Sequence, residues 1–376
     1  MRGSPFVRDP APGSGVSCLL RSGGASPGVS SLLAERFQVI LPAPSILAPA
    51  AAFLLSLLLA LYLTPVLRDA ARQFGIVDAP DGKLKTQKDS VPYLGGVAVF
   101  ASVLFPVSLF LQFSDKVSGL LLACSIIVLL GLIDDIGRLS PRVKLLVQVT
   151  AVFLMLKSGI RIRIDAFPPL LCIALTFLWM IVMTNGFNLI DVMDGLAAGV
   201  ATVSALALAV VFLFQGERMG LILCLSLVGA LLGFLRYNRP PAQIYLGDTG
   251  SLLIGFLLGG LAIEGDYTAR NPYGWCTALA VFAVPLFEIV FVSWLRFRRG
   301  ASIISGSRDH FSLRLRRWKL TRGQTVSASC GAAAAAAAVG LLGMGLAPLL
   351  SLLAYGSIGL FFLLVAIWLK TIDMGL

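Results

Sequence analysis

Charge is scarce in this chain, and histidine is nearly absent. Asp, Glu, Lys and Arg make up 13% of its 376 residues, and there is one histidine. A soluble globule carries about a quarter charged residues, so a mean hydropathy of +0.90 with a 57% apolar share excludes one. The six cysteines, at 18, 124, 172, 224, 276 and 330, form no CxxC pair, and five lie in or at the ends of apolar runs. That excludes a disulfide framework and a thiolate zinc site, and leaves them as small packing residues. No repeat of roughly 20–50 residues is present, which excludes a solenoid. Residues 1–40, rich in Gly, Ser, Pro and Arg without apolar periodicity, predict a disordered extension. Within it the run Val16 to Leu20 is too short for the core of a cleaved signal peptide.

What the chain does have is apolar runs long enough to cross ~30 Å of hydrocarbon. Eleven occur, at about 45–67, 91–113, 118–133, 142–157, 168–185, 197–214, 219–235, 249–263, 274–295, 326–347 and 351–369, the fourth and eighth being short. Backbone in lipid must satisfy its own hydrogen bonds, so such runs are helices. The expected fold is therefore all-α, with residues 41–376 forming one polytopic integral membrane domain of about 11 transmembrane helices. Small residues in the alanine tract 332–338 and in Gly255-x-x-x-Gly259 suit close helix packing.

A net charge of +11 first suggests nucleic acid, but its distribution excludes that reading. With the N-terminus outside, loops 68–90, 134–144, 236–248 and 296–322 and the tail share one side, and they hold 20 of the 30 Lys and Arg. The positive-inside rule makes that side cytoplasmic. The main carboxylate-bearing segments fall there too: Asp134-Asp135, Asp191 with Asp194, Asp248 and Asp309. Acids clustered at a membrane boundary call for a divalent cation, and a cation beside lysines calls for a phosphorylated substrate.

Each acidic segment also has a plainer explanation. Asp134-Asp135, in GLIDDIGRLSPRVKLLVQV, has adjacent carboxylates that favour a bound cation or a shared proton; helix-end solvation with Arg138 and Arg142 competes. In TNGFNLIDVMDGLAAG, Asp191 and Asp194 are spaced i, i+3 and would share a helix face, as would Asn185 and Asn188, which suit a base or sugar hydroxyl. Gly195 and Gly199 would let backbone approach a ligand or another helix. In QIYLGDTGSLLIGF, Asp248 stands at a helix start whose free amides suit an anion, though it could equally be a cap. Lys83, Lys85 and Lys88 could hold phosphate oxygens or be ordinary positive-inside residues; Pro92 and Gly95-Gly96 follow as a fixed re-entry of the chain. His310, between Asp309 and Phe311 in the largest basic loop, could contact a phosphate, while the arginines around it suit anionic headgroups.

Taken together, VPYLGG, GLIDD with the following KLLVQ, NGFNLIDVMDGLAAG and YLGDTGSLLIGF resemble, in order, the motifs of a bacterial family. It is the polyprenyl-phosphate N-acetylhexosamine-1-phosphate transferases of glycosyltransferase family 4 (WecA- and TagO-like, more distantly MraY-like). The match runs over roughly 45–370. The resemblance implies a multi-pass enzyme of the bacterial inner membrane with its active site facing the cytoplasm. Such enzymes move a sugar 1-phosphate from a UDP-sugar such as UDP-GlcNAc to undecaprenyl phosphate, release UMP, and start a lipid-linked cell-envelope glycan. It implies Mg²⁺, with Mn²⁺ as a substitute, at Asp248 together with Asp134 and Asp135. It makes Asp134, Asp135, Asp191, Asp194 and His310 the catalytic candidates. Lys85, Lys88 and Lys144, with Asn185, Asn188 and Gly195, become the substrate-binding candidates.

The chain departs from the family pattern in four places. A histidine-rich HxHH-like stretch is reduced to DHFSLRL; DVMDG replaces DGxDG; Glu288 in VPLFE stands where Asp is usual; Gln87 stands near a usual His. One-step transfer and a route through a covalent aspartyl intermediate both remain open. Competing readings are a phospho-N-acetylmuramoyl-pentapeptide transferase and, from another class, a transporter or flippase. Acids at span ends rather than mid-membrane, and no inverted repeat, weigh against transport.

Overall fold

The structure is a computed structural model and describes residues 46–78, 90–137, 139–164, 167–300, 302 and 309–374. The expected extension over 1–40 and the lysines Lys83, Lys85 and Lys88 lie outside the described residues. Apart from one short ladder, the described chain is helical: α1 (Leu47–Gln73), α2 (Gly95–Phe110), α3 (Asp115–Gly137), α4 (Pro141–Lys157), α5 (Pro169–Ile190), α6 (Leu196–Gln215), α7 (Arg218–Asn238), α8 (Gly247–Glu264), α9 (Cys276–Val281), α10 (Ala283–Arg298), α11 (Phe311–Arg317), α12 (Arg322–Gly345) and α13 (Pro348–Lys370). The ladder pairs β1 (Val77–Asp78) antiparallel with β2 (Val91–Pro92).

The ends of these helices are written in polar residues. Ser140 opens α4 by accepting from the Val143 amide, with Pro141 at the first helical position. Glu217 accepts from the amides of Met219 and Gly220 to open α7, and Thr321 with Gln324 forms a capping box at α12.

All eleven apolar runs lie on helices, and the chain is an all-α polytopic membrane protein. Among the described residues eight helices are long and apolar enough to cross a membrane: α1, α3, α5, α6, α7, α8, α12 and α13. The others fall short for visible reasons. The second run loses its start to a docked turn, leaving α2 with 16 residues, about 24 Å of helix. The ninth run is not one helix, as expected, but breaks at Phe282 into α9 and α10. Pro285 has no amide to offer the Val281 carbonyl four residues back, and the Ser204 hydroxyl of α6 donates to that carbonyl instead, at 3.0 Å.

α8 is the central helix, packed against α2, α3 and α5. A Cβ on Gly96, Gly131 or Gly255 would run into backbone, at Gly250, Thr249 and Met183 respectively. Three helices thus press backbone-close upon α8, and GxxxG packing is one of those contacts. Of the α8 span, 78% is buried inside the protein, against 6% for α13 at the periphery. Since α3 and α5 end where α8 begins, their polar termini meet.

Candidate active site

A cavity of about 550 Å³ opens at that meeting point, lined by Asp134 and Asp135 from α3, Asp191 and Asp194 from the α5–α6 turn, and Asp248 from α8. Asp78, Tyr93, Asn238, Tyr245, Leu313, Arg316 and Arg322 are also in the wall. Helix α3 continues through the acidic pair to Gly137, so both acids are helical rather than in the loop beyond.

The two neighbouring acids do different work. Asp135 reaches across to the start of α8. It accepts from the Asp248 amide at 2.8 Å, the Thr249 amide at 3.1 Å and the Thr249 hydroxyl at 2.6 Å. It is an N-cap supplied by another helix, and its charge complements the positive end of α8. Gly247 makes this approach possible: its φ is +72°, and a Cβ there would stand 2.5 Å from an Asp135 oxygen.

Asp134 turns the other way, pairing with the Lys144 ammonium and accepting from the Leu139 amide at 2.5 Å. Lys144 Nζ also lies 2.6 Å from Asp248 Oδ2. One cation thus bridges two carboxylates from different helices. Asn188 completes the set, donating to Asp248 Oδ1 at 2.9 Å and to the Ser251 hydroxyl at 3.0 Å. Asn185, expected beside it as a substrate contact, instead donates to Gln148 of α4 and to its own helix at Ile181, at 2.8 Å each.

Asp191 and Asp194 do not share a helix face as their spacing predicts, because 191–195 is a turn between α5 and α6. Asp194 accepts from the Ala242 amide at 3.2 Å and from Arg322 at 3.3 Å. The Gly195 amide, at the left-handed cap of α6, is taken by Asn238 Oδ1 at 2.9 Å, and Gly199 packs against Cys330 of α12. Asp191 is different. Its carboxylate finds no hydrogen-bond partner among the described residues. Burial, and then the charges of Asp248, Asp135 and Asp194, push its pKa well above the usual carboxylate range.

His310 stands apart, absent from the cavity's lining. Its Nδ1 lies 2.6 Å from Oε1 of Glu288, whose other oxygen accepts from the Phe311 amide at 3.2 Å. Beside it Asp309 is held by Arg299 at 2.7 Å and Arg314 at 3.0 Å. The loop's next helix does reach the cavity, through Leu313 and Arg316 of α11. Sequence reasoning missed Asp78, Tyr93, Asn238, Tyr245, Arg316 and Arg322 as wall residues. For Asn238 and Tyr245 a signal was present: NRPPAQIY is a short polar interruption between two long apolar runs. Tyr93 and Tyr245 meet with ring centroids 6.2 Å apart, which joins VPYLGG to YLGD, as do the Gly95 and Gly96 amides bonded to the Tyr245 and Leu246 carbonyls.

The anionic groups of the site are all carboxylate oxygens, as a hard cation prefers. Among the described residues no three His, Cys, Asp or Glu side chains form a ready cage. An ion that takes one or two carboxylates and completes its shell from substrate phosphate and water needs none, and the unpartnered Asp191 carboxylate beside Asp248 fits that need.

These features define a multi-pass helical membrane protein whose polar centre lies at the shared ends of its helices. The sequence model of Glycosyl transferase family 4 matches residues 117–266, which include the acidic pair, Asn188, the turn with Asp191 and Asp194, and Asp248. A Bacillus subtilis (strain 168) protein named "Probable undecaprenyl-phosphate N-acetylglucosaminyl 1-phosphate transferase" is 31% identical over 284 residues, covering 73% of this chain and 79% of that one. Proteins named undecaprenyl-phosphate alpha-N-acetylglucosaminyl 1-phosphate transferase are similar as well. That of Yersinia pestis is 29% identical over 74% of this chain and 80% of its own length. That of Escherichia coli (strain K12) is 26% identical over 73% and 78%. The chain belongs to glycosyl transferase family 4.

Proposed function

We propose that this protein transfers N-acetylglucosamine 1-phosphate, or a close N-acetylhexosamine 1-phosphate, from its UDP-sugar to undecaprenyl phosphate in the bacterial inner membrane. The observation that carries this reading is the Lys144 ammonium between Asp134 and Asp248, with Asn188 and the unpartnered Asp191 around it. An acid-rich cavity that must admit two phosphate-bearing substrates needs cations. Arg316 and Arg322 in its wall supply two, and Lys144, paired with the wall acids Asp134 and Asp248, supplies a third, on the side of the membrane that the basic loops make cytoplasmic.

In the reaction, an oxygen of the lipid phosphate attacks the sugar-linked phosphorus of the UDP-sugar. The bond from that phosphorus to the bridging oxygen breaks, and its electron pair leaves on UMP. The attacking phosphate is already ionised, so little proton removal is required. Alignment of two anions is the harder task. Lys144 serves it by neutralising phosphate oxygens at a fixed point held by two carboxylates. Asp135 is engaged by three donors and Asp134 by Lys144 and an amide, which supports direct displacement over a covalent aspartyl intermediate. Asp248, Asp134 and Asp191 would hold Mg²⁺ or Mn²⁺, which when bound neutralises diphosphate charge and the charge developing on UMP.

Helix-end acids, rather than mid-membrane ones, support an enzyme over a transporter. The deciding experiment incubates membranes containing the protein with labelled UDP-sugars, undecaprenyl phosphate and Mg²⁺, then analyses the lipids by mass. Undecaprenyl diphosphate N-acetylhexosamine with equimolar UMP is expected. No lipid product from any UDP-N-acetylhexosamine would overturn the reading.

A further inference from the structure

A second cavity lies apart from the acidic one and exceeds it in volume. A groove of about 740 Å³ runs between α9–α10 and α13, walled by residues such as Phe287, Val290, Phe362 and Ala366. Its apolar wall is interrupted at one end by Trp294 and Lys370. Helix α13 is the least covered of the eight long apolar helices, so the groove opens toward hydrocarbon. The Tyr355 hydroxyl within it is already matched with Thr277 at 3.0 Å.

The end of the groove is chemically distinct. Lys370 Nζ lies 5.5 Å from the centre of the Trp294 ring, and the Arg298 guanidinium lies 5.5 Å from the same centre. One cation comes from the last turn of α13 and the other from the last turn of α10. Neither has a carboxylate partner among the described residues. Two cations within 5.5 Å of one ring centre make this end of the groove positive, and an anionic headgroup complements it. We propose that this groove binds an anionic phospholipid, its phosphate held by Lys370 and Arg298 across Trp294 and an acyl chain laid along the groove. A free phosphate would leave the apolar wall unused, and a zwitterionic headgroup would bring its own ammonium against the two cations.

The test adds palmitoyl-oleoyl phosphatidylglycerol or phosphatidylcholine in equal amounts to the full chain in neutral detergent and counts retained lipids by native mass spectrometry. Two membrane-surface cations imply about a 30-fold preference for the anionic lipid. Lys370→Gln with Arg298→Gln is expected to abolish that preference while leaving sugar transfer in neutral lipid unchanged. Ala366→Phe, which fills the groove and spares the cations, is expected to reduce retention of both lipids. Equal retention of the two lipids by the unmodified protein would overturn the proposal. So would displacement of phosphatidylglycerol by inorganic phosphate at equal concentration, or a preference that survives the double substitution. Displacement by equimolar undecaprenyl phosphate would overturn it too, by giving the groove to the acceptor.

Discussion

The acidic cavity and the apolar groove lie on the same protein and answer opposite solvents. At the cavity, six aspartates face inward beside few cations, and Asp134, Asp135 and Asp248 are each tied to a partner on another helix. At the groove, the wall is mostly hydrocarbon and Lys370 is its one charged lining residue, with Arg298 on the same Trp294; neither cation has a carboxylate partner among the described residues. The larger volume belongs to the groove, yet the means to orient a reacting phosphate belong to the cavity. Size marks where a lipid rests, and convergent polar groups mark where bonds change.

The largest expected effect comes from removing a charge at the centre of the cavity. Asp248→Asn takes a carboxylate from Lys144 and from the proposed ion at once, and UMP release should fall by about a thousandfold, with excess Mg²⁺ restoring none of it. Substantial turnover by that variant would mean that the cavity is not the reaction site. Lys144→Gln should follow at about a hundredfold. Its readout is a titration of both substrates, because loss of an alignment charge lowers kcat, whereas a structural lysine would change only the yield of folded protein.

Much of this was legible in the sequence. Hydropathy alone marked the helices, and the ordered motifs marked Asp134, Asp135, Asp191, Asp194 and Asp248, which the fold brings to one cavity. What the sequence could not carry is direction. Adjacent Asp134 and Asp135 look interchangeable on paper, but on a helix consecutive residues point about 100° apart. One therefore caps α8 while the other meets Lys144. Asn185 and Asn188 share a helix, yet the first is spent on Gln148. His310 looked catalytic because it was alone and flanked by charge, and only three-dimensional packing reveals Glu288 as its partner. The i, i+3 spacing of Asp191 and Asp194 fits a helix on paper, because nothing in a pattern of acids reports a turn.

The split between the paired acids leads to a mid-sized prediction. Asp135→Ala leaves the first amides of α8 without their acceptor, a loss of about 1–2 kcal/mol for a cap. Gly247→Ala forces a side chain to positive φ against Asp135, at about the same cost. Both should lower the melting temperature and activity together. A variant at Asp135 that lost turnover at unchanged melting temperature would make that acid a chemical participant rather than a cap. His310→Ala should slow transfer by no more than about tenfold, and Glu288→Gln should match it, since the two act as a pair; a larger loss at either would draw the pair into the cavity's chemistry.

The smallest effect expected is a gain. Asp191 is an acid whose folded-state pKa stands above its unfolded one, so the folded protein binds the proton more tightly than the unfolded chain does. Stability contributed by this residue then falls as pH rises from the ordinary aspartate value of ~4 through its own raised value. Asp191→Asn removes that loss. In chelator at neutral pH the variant should melt slightly higher than the unmodified protein, and the difference should vanish as the pH is taken below ~4. The same variant should transfer sugar phosphate poorly. If Asp191→Asn instead melts lower at neutral pH, the carboxylate has a stabilising partner, and the strongest reason for setting a cation beside it is gone.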